Sequence, residues 1–403
     1  MAGIYVHIPF CRQRCNYCDF HFSTSRTYKN EMMAALLNEL EMQAAAGYLG
    51  TSNVQTIYLG GGTPSLLATT DVAALLNRIR GLWTVEQGAE ITLEANPDDV
   101  TPALLEGWKG AGVTRLSLGI QSLYEDELQW MNRAHTAEEA QMVVHLVREA
   151  GFSDFSVDLI YGGPLLTDER WLHTLNWALQ QEVTHLSCYA LTVESKTPLE
   201  KQIRTGRRSP TNPEQQARQF LQLMDVLEQA GWEHYEISNF ARPGHRSRHN
   251  SSYWQGIPYL GIGPSAHSFN GTARQWNVAH NRNYIASIRQ GRVPFEQDQL
   301  TRRDQLNEYI MTSLRRMEGC DLEKVKRTFG DAMADALEYR SRPFRQQGWV
   351  LQEAQQLRLS REGKLYADRI AADLFVLDDP AGGAFAFPQA QVQDLLKGKG
   401  END

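Results

Sequence analysis

The chain has 403 residues, 42% of them apolar and 22% charged, and carries a formal net charge of −8. This length predicts one large domain and a smaller one with cores that need no disulfide staples, and the acidic balance excludes nonspecific nucleic-acid binding, which needs a basic surface. No apolar run reaches the roughly 18 residues of a membrane span, no amino-terminal segment reads as a secretory signal, and five cysteines, three of them within Cys11–Cys18, suit a reducing cytoplasm better than a disulfide framework.

Short apolar runs alternate with helix-period segments, the pattern of βα units around a parallel sheet. Strands are expected at Ile4–Ile8, Thr56–Leu59, Glu90–Glu94, Arg115–Ile120, Phe155–Ile160 and His185–Leu191. Helices fall between them. "YKNEMMAALLNELEMQAAA" is amphipathic, and "TPALLEGWKGAG" opens on Thr-Pro and closes on Gly, a start and a stop signal. Strands each followed by a helix predict an α/β fold, a partial TIM-like (β/α) barrel whose chemistry sits at the carboxyl ends of the strands. "HYEISNFA" reads as a seventh strand, the polar stretch "RPGHRSRHNSSYWQG" as a long functional loop, and "YLGIGPSAHSF" as strand-like. Residues 1–295 are read as the barrel domain, including that loop. Residues 296–403 are read as a small helical domain whose β-hairpin wing is "GWVLQEAQQLRLSREG", followed by a helix over Gly363–Phe375 and a frayed "KGKGEND".

"YVHIPFCRQRCNYCDFHF" holds the chain's most specific signal, C-x-x-x-C-x-x-C directly after the first strand. Thiolates at this spacing on one loop can converge on one metal centre. Two centres fit: zinc with His21 as fourth ligand, or a [4Fe–4S] cluster held by three thiolates with one iron left open. A closed structural zinc site has no use for a vacancy, whereas an open iron can take a reacting ligand.

With an aromatic residue before its third cysteine, this motif resembles the signature of the radical S-adenosylmethionine (SAM) enzymes. That resemblance implies a [4Fe–4S] cluster on Cys11, Cys15 and Cys18, with SAM chelating the open iron and being cleaved to a 5′-deoxyadenosyl radical. It also assigns a pocket at successive strand ends. Gly61, Gly62 and Thr63 of "LGGGTPS" match the methionine-binding turn, and Glu94 of "LEANP" is placed to accept from ribose hydroxyls. Gln121 of "GIQS", Arg133 of "NRAH" and Asp158 of "VDLIYGGP" follow, with Arg133 a forked partner for the SAM carboxylate. An Asp158 carboxylate in an apolar strand must be paired or hydrogen-bonded, so a structural role and a cofactor role are both open. Ala190 matches a position packed on adenine, Tyr5 a tyrosine near the cluster, and His267 of "GPSAHSF" a residue against SAM.

More narrowly, "YVHIPFC", "GGGTP", "LEANP", "GIQS", "NRAH", "DLIYG" and "GIGPSAHS" resemble the oxygen-independent coproporphyrinogen dehydrogenase branch. Two departures set the chain apart from a decarboxylating member. Phe20 stands where that enzyme has a further cysteine, and the residues before Cys11 leave no room for its amino-terminal extension. "HNSSYW" instead is similar to H-N-x-x-Y-W, a motif of related haem chaperones. This resemblance implies haem as cargo, with His249 as iron ligand and Asn250, Tyr253 and Trp254 beside it. Acceptor haemoproteins, membrane proteins transiently among them, and an electron donor would be the partners. The alternative is a porphyrin-modifying enzyme of the dehydrogenase type. Cys188 and His7 read as core residues, and Cys320 as either buried or a surface thiol.

Overall fold

The computed structural model describes residues 1–376; "KGKGEND" lies outside them. The expected strands are β1 (Ala2–Ile8), β2 (Val54–Gly61), β3 (Val85–Ala95), β4 (Arg115–Gln121), β5 (Phe155–Tyr161) and β6 (His185–Ala190). They pair in parallel in sequence order, each followed by a helix. Local chemistry fixes those helices. Thr101 caps Pro102–Ala111 by accepting from the Leu104 N–H, and Gly112 ends it at φ 96°, a left-handed position that glycine adopts at little cost.

Along β1 the side chains alternate between two environments. Ala2, Ile4, Val6 and Ile8 are buried apolar residues, while Tyr5 and His7 take the other face and hydrogen-bond to each other. That second face of the sheet is polar on several strands. Thr56 and Tyr58 on β2, Glu94 on β3, and Ser117 and Asp158 on β4 and β5 all make side-chain hydrogen bonds. Such groups stay together only because they satisfy one another.

Two expectations about strands need correction. "HYEISNFA" is not one strand but two, β7 (Glu233–Glu236) and β8 (Asn239–Ala241), the latter antiparallel to β6. "YLGIGPSAHSF" is also divided, into β9 (Tyr259–Ile262), parallel to β1, and β10 (His267–Phe269). Between them Gly263 at φ 105° and Ser265 at φ 64° turn the chain. β11 (Ala273–Asn277) and β12 (Phe295–Gln299) complete the sheet, ordered β12-β11-β10-β9-β1-β2-β3-β4-β5-β6-β8-β7. The fold is thus α/β with a large, mainly parallel sheet. Among the described residues no ladder joins β6 to β1.

The described residues divide into two compact units: Met1–His234 with Ser238–Asp298, and a second formed by Tyr235–Ile237 and the described residues from Gln299 on. In the second unit β13 (Cys320–Asp321), β14 (Val350–Glu353) and β15 (Gln356–Leu359) form a small sheet in the order β13-β15-β14, the hairpin being β14–β15. Helices Arg302–Leu314, Leu322–Phe329, Asp331–Gln346 and Ala367–Asp373 surround a core that includes Ile310, Cys320, Leu337, Phe344 and Ile370. Residues Gly363–Tyr366, expected within a helix, form a 3-10 turn before Ala367–Asp373. Among the described residues no helix is long and apolar enough to cross a membrane.

Candidate cluster and nucleotide site

Cys11, Cys15 and Cys18 lie on the segment that leaves β1, all unpaired and half-buried. The segment is tied at its base: Cys11 N–H donates to Ser23 O (3.0 Å) and Ser23 N–H to Pro9 O (2.9 Å). His7 ties it again. Burial lowers this imidazole to about 4, so it is neutral. Its Nε2 lies 2.8 Å from the His21 carbonyl, which can only accept, so Nε2 carries the proton and Nδ1 accepts from the Tyr5 hydroxyl at 3.2 Å. The His21 ring turns away to Asn281 Oδ1 (2.7 Å) and is thereby engaged elsewhere than with the cysteines.

The three thiols act on one another. Burial, with the Cys15 charge adding to it, pushes Cys11 up to about 11, against a hydrogen bond from Thr63. Burial likewise pushes Cys18 up to about 12, against the Phe20 N–H, and the charges of Cys15 and Cys11 add to it. Three thiolates here therefore need positive charge. Arg133 supplies part of it, with Nη1 3.3 Å from Cys15 Sγ. Thiolates are the donors that iron–sulfur clusters take, and a cubane offers each of the three its own iron. The donor set fits a cluster.

The neighbouring turn is built on close approach. Gly62 N–H donates to Ile8 O (2.9 Å), and a Cβ at Gly62 would stand 2.6 Å from Phe10 O and 2.7 Å from Ile8 O. Gly61 sits at φ 108°, with the His7 ring where a Cβ would be. Its N–H donates to Glu94 Oε2 (3.0 Å), while the Tyr58 hydroxyl donates to Oε1 (2.8 Å). Burial, with the Asp158 charge adding to it, raises the Glu94 carboxyl to about 7. Arg133 Nη2 donates to Asn96 Oδ1 (2.8 Å) and Gly119 O (2.9 Å), and its Nε is buried without a partner. Gln121, at φ 68°, brings its amide to the same place: a Cβ on Gly119 would lie 3.0 Å from Gln121 Nε2 and 3.3 Å from Arg133 Nη2. A side-chain-free floor, a carboxylate with two donors and a guanidinium with a spare N–H fit a polar nucleotide carrying amino and carboxylate groups.

Other assigned residues are placed as follows. Asp158 accepts from Ser117 (3.1 Å) and Ser156 (3.3 Å), and burial raises its pKa against those bonds. Ala190 ends β6, where the next N–H, of Leu191, donates to Tyr161 O. His267 is exposed on β10 and near enough to His7 to act on it electrostatically. Sequence reasoning passed over Tyr58 and Asn96, and read Tyr17 only as the aromatic residue of the cysteine motif. Tyr17 hydrogen-bonds Arg133, and Asn96 reaches Thr63 Oγ1 at 3.4 Å as well as Arg133. Both stood inside quoted motifs, next to residues already singled out.

The haem motif requires the largest correction. "HNSSYW" is not in a loop but in the helix Arg248–Gln255, capped by Ser247, which accepts from the Asn250 N–H. His249 is fully buried. Its Nδ1 meets Thr56 Oγ1 and its Nε2 the Tyr253 hydroxyl, both at 2.8 Å, and burial lowers its pKa to about 3. Both ring nitrogens are thus hydrogen-bonded, and the ring has no exposed edge. Asn250, Tyr253 and Trp254 are half-buried on the same helix.

The family model described as Radical SAM superfamily matches residues 5–178, and that described as HemN C-terminal domain matches residues 300–366. A heme chaperone HemW of Mycobacterium tuberculosis is 35% identical over 83% of this chain and 88% of its own. One from Bacillus subtilis is 33% identical over 92% and 98%. The coproporphyrinogen III oxidase HemN of Escherichia coli, described as a radical SAM enzyme, superposes with a TM-score of 0.81 over 93% of this chain and 90% of its own; at 23% identity this is a likeness of fold. The chain belongs to the radical SAM superfamily and, within it, to the HemN-like family that includes the haem chaperones named HemW.

Proposed function

We propose that this chain is a haem chaperone of the radical SAM class, which holds a [4Fe–4S] cluster and SAM, carries haem and passes it to acceptor haemoproteins. The observation that carries the reading is likeness to proteins named heme chaperone over nearly the whole chain, with the cysteine segment and the Gly61–Thr63 turn pressed together at one end of β1 and β2. Cys11, Cys15 and Cys18 would hold the cluster. Gly61, Gly62, Thr63, Glu94, Gln121 and Arg133 would surround SAM, with Asp158, Ala190, Tyr5 and His267 around them. When bound, the cluster supplies a one-electron reductant beside a sulfonium. The chain's own residues hold charge in place: Arg133 offsets the thiolate of Cys15, and Glu94 is fixed by Tyr58 and the Gly61 N–H. Phe20, 69% exposed beside Cys18, puts a ring where the decarboxylating branch has a thiol, which favours cargo carriage over decarboxylation. Haem is assigned to the chain without His249 as its iron ligand.

The test is anaerobic reconstitution followed by three measurements. A cubane EPR signal that changes on adding SAM, Soret-monitored haem binding, and haem transfer to an apo-haemoprotein are the expected results. Conversion of coproporphyrinogen III to protoporphyrinogen would install the dehydrogenase reading instead. A colourless preparation containing zinc would remove both.

A further inference from the structure

Glu94 is held by two donors, the Gly61 N–H and the Tyr58 hydroxyl. The second is aimed by something beyond the nucleotide site. Tyr58 stacks on His249, with ring centroids 5.0 Å apart and planes 25° apart. The His249 ring cannot slide, because Thr56 and Tyr253 fasten its two nitrogens. Thr56 and Tyr58 are two apart on β2 and so face the same side. The helix itself is pinned to β3. Its Arg248 and His249 N–H groups both donate to the Glu90 carboxylate at 2.8 Å, where a negative charge also suits a helix amino terminus. Gly3 on β1 leaves room for the imidazole; a Cβ there would lie 3.3 Å from His249 Cε1.

We infer that His249 is a positioning residue: its ring sets the Tyr58 ring, and through it the hydroxyl on Glu94, so that the helix Arg248–Gln255 tunes SAM affinity instead of supplying an iron ligand. The inference rests on the reading that Glu94 faces SAM. Histidine suits the task because it is a flat plate with a hydrogen-bonding atom at each end. Phenylalanine would strand the Thr56 and Tyr253 hydroxyls in a buried place, and glutamine would not stack.

The experiment uses the anaerobically reconstituted full chain, titrated with SAM by cluster EPR and with haem by its Soret band. Tyr58→Phe is expected to weaken SAM binding about tenfold, the size of a hydrogen bond to a carboxylate. His249→Ala is expected to weaken it comparably, and the double variant no more than the weaker single, because both act through one contact. The haem titration stays that of the parent. Should His249→Ala not fold, Tyr253→Phe keeps the packing and removes one tether; SAM binding then weakens about threefold. An iron ligand predicts the reverse. Tyr253→Phe would free Nε2 and tighten haem, His249→Ala would lose haem, and SAM affinity would not move; that result overturns the inference. Parental SAM affinity in both His249→Ala and Tyr253→Phe also overturns it. A parent whose cluster ignores SAM fails at the earlier step, by removing the proposed nucleotide site itself.

Discussion

Glu39 shows how one side chain can hold distant parts of the chain together. It projects from the helix Lys29–Ala45 and accepts from the Gly263 N–H (2.7 Å), Asn277 Nδ2 (2.6 Å) and the Tyr284 hydroxyl. Burial raises its carboxyl from 4.5 to about 7 against those bonds. Because the folded value lies above the ordinary one, the stabilisation is complete below pH 4.5 and is lost as pH rises through 7. Across that window it amounts to about 3 kcal/mol at most. Thermal unfolding of Glu39→Gln should therefore show a flatter stability–pH curve between pH 5 and 8 than the parent, even though the amide destabilises at every pH by meeting donors with donors. A carboxylate on an apolar helix face is visible in "LLNELEM". Its donors, more than two hundred positions away, are not.

At the scale of elements, Gly62 and the helix Arg248–Gln255 make contrasting cases. Gly62→Ala would set a methyl against the backbone of Ile8 and Phe10, which cannot yield as a side chain can. Reconstituted protein should load less iron per chain, read by iron and sulfide assay, with the cysteines intact. The turn was legible because glycine repeats, strand ends and cysteines are local signals. The helix was not. "RHNSSYWQ" shows no apolar period and holds its place through the Ser247 cap and Glu90, a partner from another strand. Glu90→Ala should cost about 2–3 kcal/mol in urea unfolding, since two N–H groups and the Ser247 hydroxyl lose a charged acceptor at once. The six parallel strands were readable from their hydrophobic runs. The splitting of "HYEISNFA" and the placing of β9 beside β1 depend on pairings between remote segments, which periodicity does not encode.

For the whole molecule, each unit carries its own core. In the second, Ile310 is fully buried among Leu306, Leu314, Leu337 and Phe344. Ile310→Ala should destabilise that unit by about 3 kcal/mol through lost transfer energy and a cavity. Calorimetry should show the lowered transition, and the cluster EPR signal should match the parent's. The family was legible from the sequence because its chemistry needs particular residues at fixed local spacings, from Cys11 to Arg133. The helical placement of "HNSSYW" was not, because a motif names residues without saying which way they face. The cysteine segment has a last consequence for anyone wishing to move it. Its foothold is the backbone of Ile8 and Phe10 pressed against Gly62, together with the bonds between Pro9, Cys11 and Ser23. A graft limited to the cysteines would arrive without its foundation, and a working transplant must bring both opening strands and the glycine bend that braces them.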